Sequence, residues 1–315
     1  MKGKKLDQGT VDEAAAMLRE DDKLSIRQVA DHFHVNESTL RGRLKPEAGV
    51  PSVGEPSLLY DGDLHDKEIP VIHRHYEDHE EHYVYPMSDI HKGSARHNQE
   101  RWEEWLGYIE ATPNTSLILN GDLLNSAILG SKSDVYTEVS PLQTSKYMLV
   151  DELEPVADQI DSINPGNHED RVWRATGSDP VFDLSNLLGI QDRYFNPVAL
   201  LVYHVGDVEY TMFVRHGTGG GGKRVGSKAN NLEDMARVIV ADIYTMGHSH
   251  TQLVFPQEVF VYEGGRVVRR RQYFAASGSF LDYEEYAAAK GMPPTKIGAP
   301  RIRLAGDRKD THVSI

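Results

Sequence analysis

Residues 116–122 read Ser-Leu-Ile-Leu-Asn-Gly-Asp, a short apolar run that ends in a polar cluster. Runs of this length are typical of buried strands, and similar ones cover 83–87, 161–163, 210–214 and 243–246. The polar ends of these four are Ser88-Asp89-Ile90-His91, Asn164-Pro165-Gly166-Asn167-His168-Glu169, Arg215-His216-Gly217 and Gly247-His248-Ser249-His250. Helical patterns over 99–110 and 142–160 separate the early runs. This alternation predicts an α/β layered fold with the functional groups at the strand ends.

The five polar ends share side chains that bind metal ions. They supply Asp89, His91, Asp122, Asn167, His216, His248 and His250. The two members of each pair, Asp89 with His91 and His248 with His250, lie two residues apart and reach the same side of an extended segment. Nitrogen and oxygen ligands without sulfur suit Mn, Fe, Zn or Ni. Two such ions about 3.5–4 Å apart would favour displacement at phosphorus.

The five clusters, in this order, resemble those of calcineurin-like metallophosphoesterases, over about residues 83–280. The resemblance implies a four-layer αββα sandwich with two divalent metal ions, for which we expect Mn²⁺, with Fe, Zn, Ni or Mg as alternatives. It places one ion among Asp89, His91, Asp122 and His250, and the other among Asp122, Asn167, His216 and His248. Asp122 and His168 correspond to catalytic residues of the family. Asn125 stands where many members have aspartate, which leaves its surroundings open.

The first 45 residues have a helical pattern of their own. Apolar residues recur on one helical face at Ile26, Val29, Ala30 and Phe33. A break follows at His34, and another helical stretch starts near residue 36. Three short helices resemble a small all-α helix-turn-helix domain, in which His34 stands where a glycine with positive φ is common. The resemblance implies DNA contacts from Ser38, Thr39, Arg41 and Arg43. The alternative is a bundle for protein contacts, because residues 1–50 carry no net charge.

The chain is expected to divide into residues 1–45, 46–82 and 83–315. The middle segment begins as a linker rich in proline and glycine and continues as an acidic His-rich strap. The strap contains His65, His73, His75, His79 and His82. One interpretation of these histidines is adventitious metal binding, and the other is a solvated strap that leads into the first strand. The third segment is the one that the resemblance identifies as a metallophosphoesterase domain.

Composition excludes several classes of protein. The 315 residues include 34 basic and 48 acidic side chains, a formal net charge of −14, and no cysteine. A disulfide framework, a zinc–thiolate site and a cysteine nucleophile are therefore excluded. No apolar run approaches the ~18–20 residues of a membrane span, and we expect a cytoplasmic protein without a membrane partner. An acidic chain is a poor nonspecific binder of nucleic acid, so metals and local cations must attract a phosphate substrate.

The loop after His216 contains five glycines in six positions and then Lys223 and Arg224. Such a loop could bring backbone N–H groups and cations against phosphates, and Arg171 could act similarly. The loop lacks the Gly-Lys-Ser/Thr ending of a nucleotide P-loop, so an ATPase is not indicated. A surface loop without a substrate role is the alternative.

These features predict a dinuclear-metal phosphoesterase. We expect it to hydrolyse phosphodiester bonds in nucleic acid by attack of a metal-bridging hydroxide. In this it resembles the nuclease branch of the family and phage- or prophage-borne members. Two alternatives remain: a phosphomonoesterase acting on phosphoproteins or nucleotides, and a DNA-binding regulator with an accessory esterase domain. The sequence leaves the oligomeric state open.

Overall fold

The computed structural model describes residues 8–20, 26–35, 68–129, 131, 136, 138–217, 224–283 and 294–315. The chain divides into two units, Met1–Glu68 and Ile69–Ile315. No helix in the described ranges combines the length and the apolar composition that crossing a membrane requires.

The first unit contains α1 (Gln8–Glu20) and α2 (Ile26–Phe33). The two helices pack through the buried side chains of Ala14, Val29 and Ala30. His34 follows α2 with a φ of 55°, in the left-handed region, and the N–H of Val35 donates to the carbonyl of Ala30 (3.0 Å). This turn has the positive φ expected at its position. Residues 36–45, including Ser38, Thr39, Arg41 and Arg43, lie outside the described residues.

The second unit is built on two sheets. The described strands are β1 (Val71–Tyr76), β2 (Glu81–Met87), β3 (Thr115–Asn120), β4 (Ile160–Asn164), β5 (Val198–Val205), β6 (Val208–Arg215), β7 (Ile243–Met246), β8 (Leu253–Glu263), β9 (Arg266–Ala276), β10 (Arg301–Ala305) and β11 (Thr311–Ser314). The six-stranded sheet has the order β1-β5-β6-β7-β9-β8, and the five-stranded sheet has the order β11-β10-β2-β3-β4. All five predicted runs fall within strands, and β2, β3 and β4 are parallel neighbours.

The helices of this unit are α3 (Gln99–Glu110), α4 (Leu142–Leu153), α5 (Asn167–Thr176), α6 (Pro180–Leu188) and α7 (Val225–Glu233). The pattern over 142–160 predicts one continuous helix, but α4 ends at Leu153 and a 3₁₀ helix covers Glu154–Gln159. Pro155 explains the change, because proline has no N–H to continue the α-helical hydrogen bonds.

Three apolar interfaces hold the layers together. Between the sheets pack side chains that include Val84, Ile118, Leu201, Tyr203 and Val214. On the other face of the five-stranded sheet the helices contribute Trp102, Leu149 and Leu184. Next to the other face of the six-stranded sheet lies Leu232 of α7, packed with Phe213 and Tyr244. The predicted mixed α/β fold with two sheets and flanking helices is confirmed.

Strand β1 lies inside the segment that the sequence predicts to be linker and strap. Along β1, exposed His73 and His75 alternate with half-buried Ile72, Arg74 and Tyr76. The inward residues include a charged one, so the usual alternation of apolar and polar residues is obscured. His82, another histidine of the strap, is fully buried at the start of β2.

A buried carboxylate joins the two sheets. Asp161 of β4 is fully buried and accepts hydrogen bonds from Nε of Arg74 (2.9 Å) and from the hydroxyls of Tyr203 (2.8 Å), Tyr76 and Ser116. Oγ of Ser116 lies 2.8 Å from Nε2 of His82. We call Arg74, Tyr76, His82, Ser116, Asp161 and Tyr203 the Asp161 network. Its members in β2, β3 and β4 each occupy the second position of their strand, at the N-terminal ends.

The Asp161 network makes stability dependent on pH through His82. Burial, followed by the charges of His79 and Arg74 and opposed by Asp161, lowers the pKa of His82 from 6.5 to about 4. Unfolded His82 therefore binds a proton below pH 6.5, whereas folded His82 does so only near pH 4. We expect the free energy of unfolding to fall by about 3 kcal/mol between these values because of His82. Denaturation of the wild type and His82→Asn across pH 4–7 tests this. The slope of the free energy of unfolding against pH should correspond to about one proton fewer taken up on unfolding in the variant than in the wild type. Parallel slopes would contradict it.

Candidate metal centre

The polar strand ends meet at one edge of the two sheets. The side-chain amide of Asn120, at the end of β3, donates to the carbonyl of Arg215, at the end of β6 (2.9 Å). The N–H of Gly247, after β7, donates to the carbonyl of His216 (2.9 Å). Within the described residues, three groups have potential ligand atoms within 4.8 Å of one another: Asp89 with His91 and His250, His91 with Asp122 and His168, and Asp122 with His216 and His248.

The first group is centred on Asp89. Its Oδ1 lies 3.0 Å from Nε2 of His250 and 4.0 Å from Nε2 of His91, and the two imidazole nitrogens are 3.3 Å apart. Its Oδ2 accepts hydrogen bonds from the Ser88 hydroxyl and from the N–H of His248 (2.9 Å). These bonds fix the carboxylate so that Oδ1 faces the two histidines.

The second group is centred on Asp122. Nε2 of His216 lies 3.2 Å from Oδ2 of Asp122 and 3.3 Å from Oδ1 of Asn167. Nδ1 of His216 lies 2.8 Å from the carbonyl of Asn120. Since a carbonyl only accepts, Nδ1 carries the hydrogen, and Nε2 is left as the nitrogen that faces Asp122 and Asn167. Metal-binding histidines are commonly oriented in this way.

His168 stands beside the same carboxylate. Its N–H donates to Oδ1 of Asp122 (2.8 Å), and its Nε2 lies 4.0 Å from Oδ2. Its Nδ1 donates to the carbonyl of Asn125 (2.7 Å), while the Asn125 amide donates to Glu138 (3.0 Å). Asn125 thus orients His168 through the main chain. The departure from aspartate at this position does not change that contact.

Backbone strain is concentrated at these side chains. Of the seven non-glycine residues with a left-handed φ in the described part of the chain, five are predicted metal ligands: Asp89 (55°), His91 (51°), Asp122 (50°), His248 (64°) and His250 (49°). Such conformations are uncommon outside glycine and cost about 1–3 kcal/mol each. Clusters of them occur at functional sites, because the surrounding structure holds them to place side chains. The sequence carries no direct sign of this strain.

Position 166 requires glycine because its backbone lies very close to Asp122 and His216. A Cβ at this position would collide with Oδ1 and the backbone nitrogen of Asp122 and would lie 2.8 Å from Nε2 of His216. The first residue of α5 therefore follows a turn that only glycine allows. This turn brings Asn167 and His168 against Asp122.

Glu169 is a site residue that we did not predict. It is buried, and its carboxylate accepts hydrogen bonds from the N–H groups of Asp122 (3.1 Å), Leu124 (2.8 Å) and Gly166 (2.8 Å). It thereby joins the turn after β3 to the turn after β4. Burial and then the charge of Asp122 raise the pKa of Glu169 to about 8. A glutamate three residues after a helix N-cap was the available sequence signal.

The electrostatics of the site favour the ionised forms of Asp89 and Asp122, in contrast to Glu169. Burial acts to raise the pKa of Asp89 and of Asp122, yet the imidazoles of His250 and His216 lower both values. Burial opposes the charged form of His216 as well, but Asp122 raises the pKa of His216 to about 10. Both carboxylates are therefore anionic at neutral pH although they are buried, and buried anions need cationic partners.

The donor atoms fit divalent metal ions. Oδ1 of Asp89, the oxygen that faces His91 and His250, is buried and has no hydrogen-bond partner in the part of the chain that the structure describes. The set comprises carboxylate oxygens, imidazole nitrogens and an amide oxygen, which suits Mn, Fe, Zn and Ni. The seven residues predicted from the strand ends are all at this edge.

Of the predicted substrate-binding residues, one contacts the site, one is exposed and one lies outside the described residues. Arg171 lies on α5, and its Nε donates to the carbonyl of His168 (3.1 Å). Arg224 is exposed at the N-cap of α7, and Lys223 lies outside the described residues. Nζ of Lys228 donates to the carbonyl of Ser249 (3.0 Å) and to the Thr251 hydroxyl. Lys228 therefore holds the segment Ser249–Thr251, which includes His250, through two hydrogen bonds.

Residues 82–252 match the calcineurin-like phosphoesterase family. The chain belongs to this family and is a metal-dependent phosphoesterase. No curated protein matches the chain.

The chain is also similar to several solved structures. A metallophosphoesterase from Sphaerobacter thermophilus is 12% identical, with a TM-score of 0.36 over 74% of this chain and 87% of that one. A predicted phosphoesterase from Streptococcus pneumoniae TIGR4 is 15% identical, with a TM-score of 0.31 over 74% and 97%. Zn²⁺-complexed Vps29 from Entamoeba histolytica is 13% identical, with a TM-score of 0.32 over 74% and 97%.

Proposed function

We propose that the chain hydrolyses phosphodiester bonds in nucleic acid with two divalent metal ions, Mn²⁺ being the metal we expect. The observation that carries the proposal is the position of Asp122, which belongs to two of the three ligand groups. One ion would be held by Asp89, His91, Asp122 and His250, and the other by Asp122, Asn167, His216 and His248. A carboxylate can serve both ions because it has two oxygens.

When bound, such ions lower the pKa of water and neutralise charge on the phosphoryl oxygens. The side chains of the protein provide orientation and a proton. His168 donates its Nδ1–H to the carbonyl of Asn125, and burial lowers the pKa of His168, so the neutral ring leaves Nε2 on the side of Asp122 without a hydrogen. We assign to His168 proton transfer at Nε2: the nitrogen takes up a proton from solvent and passes it to the leaving oxygen.

We assign phosphate binding to Arg171, Lys223 and Arg224. Arg171 is supported by its contact with the main chain of His168. Lys223 and Arg224 follow the glycine-rich loop that begins at His216, and an acidic chain needs such local cations.

The choice of nucleic acid rests on the N-terminal helices. The packed pair α1 and α2, followed by His34 with its positive φ, supports a helix-turn-helix unit. We extend the proposal to DNA contacts from Ser38, Thr39, Arg41 and Arg43. A DNA-tethered phosphodiesterase of the nuclease branch, as in phage or prophage, would use such a unit for delivery.

A panel of metals and substrates on the full chain tests the proposal. We expect Mn²⁺-dependent hydrolysis of bis-p-nitrophenyl phosphate and of single- or double-stranded DNA. Arg41→Ala with Arg43→Ala should weaken DNA binding and lower its salt slope by about 2, with diester hydrolysis unchanged. Hydrolysis of monoesters with DNA untouched would support a phosphomonoesterase instead. DNA binding without any hydrolysis would support a regulator.

A further inference from the structure

Three histidines share the outer face of the six-stranded sheet. His73 and His75 lie on β1, and His204 lies on β5 directly opposite His75. Leu201, Tyr203 and Val205 face the other sheet, so His204 points away from it. The rings of His75 and His204 stack with centroids 4.6 Å apart, and Nδ1 of His73 lies 3.0 Å from Nε2 of His204.

Two carboxylates flank these histidines. Oε1 of Glu77 lies 2.7 Å from Nδ1 of His75, and Oε2 of Glu209 lies 4.0 Å from Nδ1 of His204. Glu209 stands opposite His204 in the pairing of β5 with β6. The Glu77 carboxylate holds the hydrogen of His75 at Nδ1 and leaves Nε2 of that ring to bind a metal, whereas Glu209, at 4.0 Å, is a charged neighbour of His204 and not a hydrogen-bond partner.

We propose that His73, His75 and His204 form a further metal site, for a divalent transition ion such as Zn²⁺. Zn–N bonds of about 2.0–2.1 Å in a tetrahedral site place two ligand nitrogens about 3.3 Å apart. The 3.0 Å between His73 and His204 is close to this spacing. The ligand nitrogens of these three histidines do not all lie within 4.8 Å of one another, so the His75 ring must leave its stack on His204 to turn Nε2 towards the other two nitrogens. The side chains of His75 and Glu77 are 60% and 56% exposed, which allows that rotation.

This site is separate from the candidate metal centre. Glu209 is the second residue of β6, whereas His216 follows the last residue of that strand. Seven residues of extended chain separate them by about 20 Å. The site also has a structural consequence, because β1 is an edge strand that pairs with β5. An ion held by His73, His75 and His204 would cross-link the two strands.

Zinc titration of the metal-free full chain by calorimetry tests the proposal. We expect His204→Ala to bind one equivalent of Zn²⁺ fewer than the wild type, and Glu77→Gln to bind that equivalent about 10-fold more weakly. The matched control is His312→Ala, since His312 is an exposed histidine on β11. Hydrolysis of bis-p-nitrophenyl phosphate should be the same in all four proteins, which distinguishes this site from the candidate metal centre.

Thermal unfolding gives a second measurement. In an Asp122→Asn background, Zn²⁺ should raise the Tm, and adding His204→Ala should remove that rise. Unchanged stoichiometry in His204→Ala would overturn the proposal. Loss of the same equivalent in His312→Ala would also overturn it, because the zinc would then be bound adventitiously by surface histidines.

Discussion

Asp122→Asn is expected to reduce the kcat for bis-p-nitrophenyl phosphate on the order of 10³-fold or more. Asp122 is almost fully buried, with Oδ2 3.2 Å from Nε2 of His216 and Oδ1 bonded to the N–H of His168. Asparagine keeps the size of the side chain but removes its negative charge and one oxygen. The variant should therefore fold and lose bound divalent metal, which metal analysis of the purified protein measures.

The control for this variant is Asp207→Asn. Asp207 is exposed in the turn between β5 and β6, far along β6 from His216. It should keep the activity and the metal content of the wild type. Activity of Asp122→Asn within a few-fold of the control would contradict the assignment of Asp122 as a shared ligand.

The sheet edge that carries the candidate metal centre could be predicted because short stretches of neighbouring residues indicate it. Each of the five clusters follows a short apolar run, and the runs form β2, β3, β4, β6 and β7. The carboxyl ends of parallel strands lie at one sheet edge, so a reader of the sequence can expect Asp122 and Asn167 to meet. Gly121 and Gly166 give the same indication, since glycine permits close backbone approach.

What could not be predicted depends on contacts between distant segments. Strand β1 exists because it pairs with β5, more than 120 residues later in the chain. Its own residues, with Arg74 facing inwards, give no alternating apolar pattern. Arg74 is tolerated there because Asp161 accepts its hydrogen bond across the sheets. The buried position of His82 has the same origin, since Ser116 supplies its partner.

Asp161→Ala is expected to lower the free energy of unfolding by about 3–5 kcal/mol, the usual cost of breaking a buried charge pair. The carboxylate accepts hydrogen bonds from Arg74, Tyr76 and Tyr203, which lie on the opposite sheet. Burial and Asp161 together raise the pKa of Tyr203, so its hydroxyl remains a donor that alanine cannot satisfy. Urea denaturation measures the loss.

Glu104→Ala is the control for this loss, because Glu104 pairs with Arg101 on the exposed side of α3. Its effect should stay below about 1 kcal/mol.

If Asp161→Ala does not fold, Asp161→Asn provides the measurement. This variant keeps one acceptor oxygen, so its free energy of unfolding should lie between those of the control and the alanine variant. The Asp161 network occupies the N-terminal ends of β2, β3 and β4, whereas the candidate metal centre lies at their C-terminal ends. Folded Asp161→Asn should therefore keep the kcat of the wild type. A destabilisation no larger than that of Glu104→Ala would mean that the buried carboxylate does not hold the two sheets together.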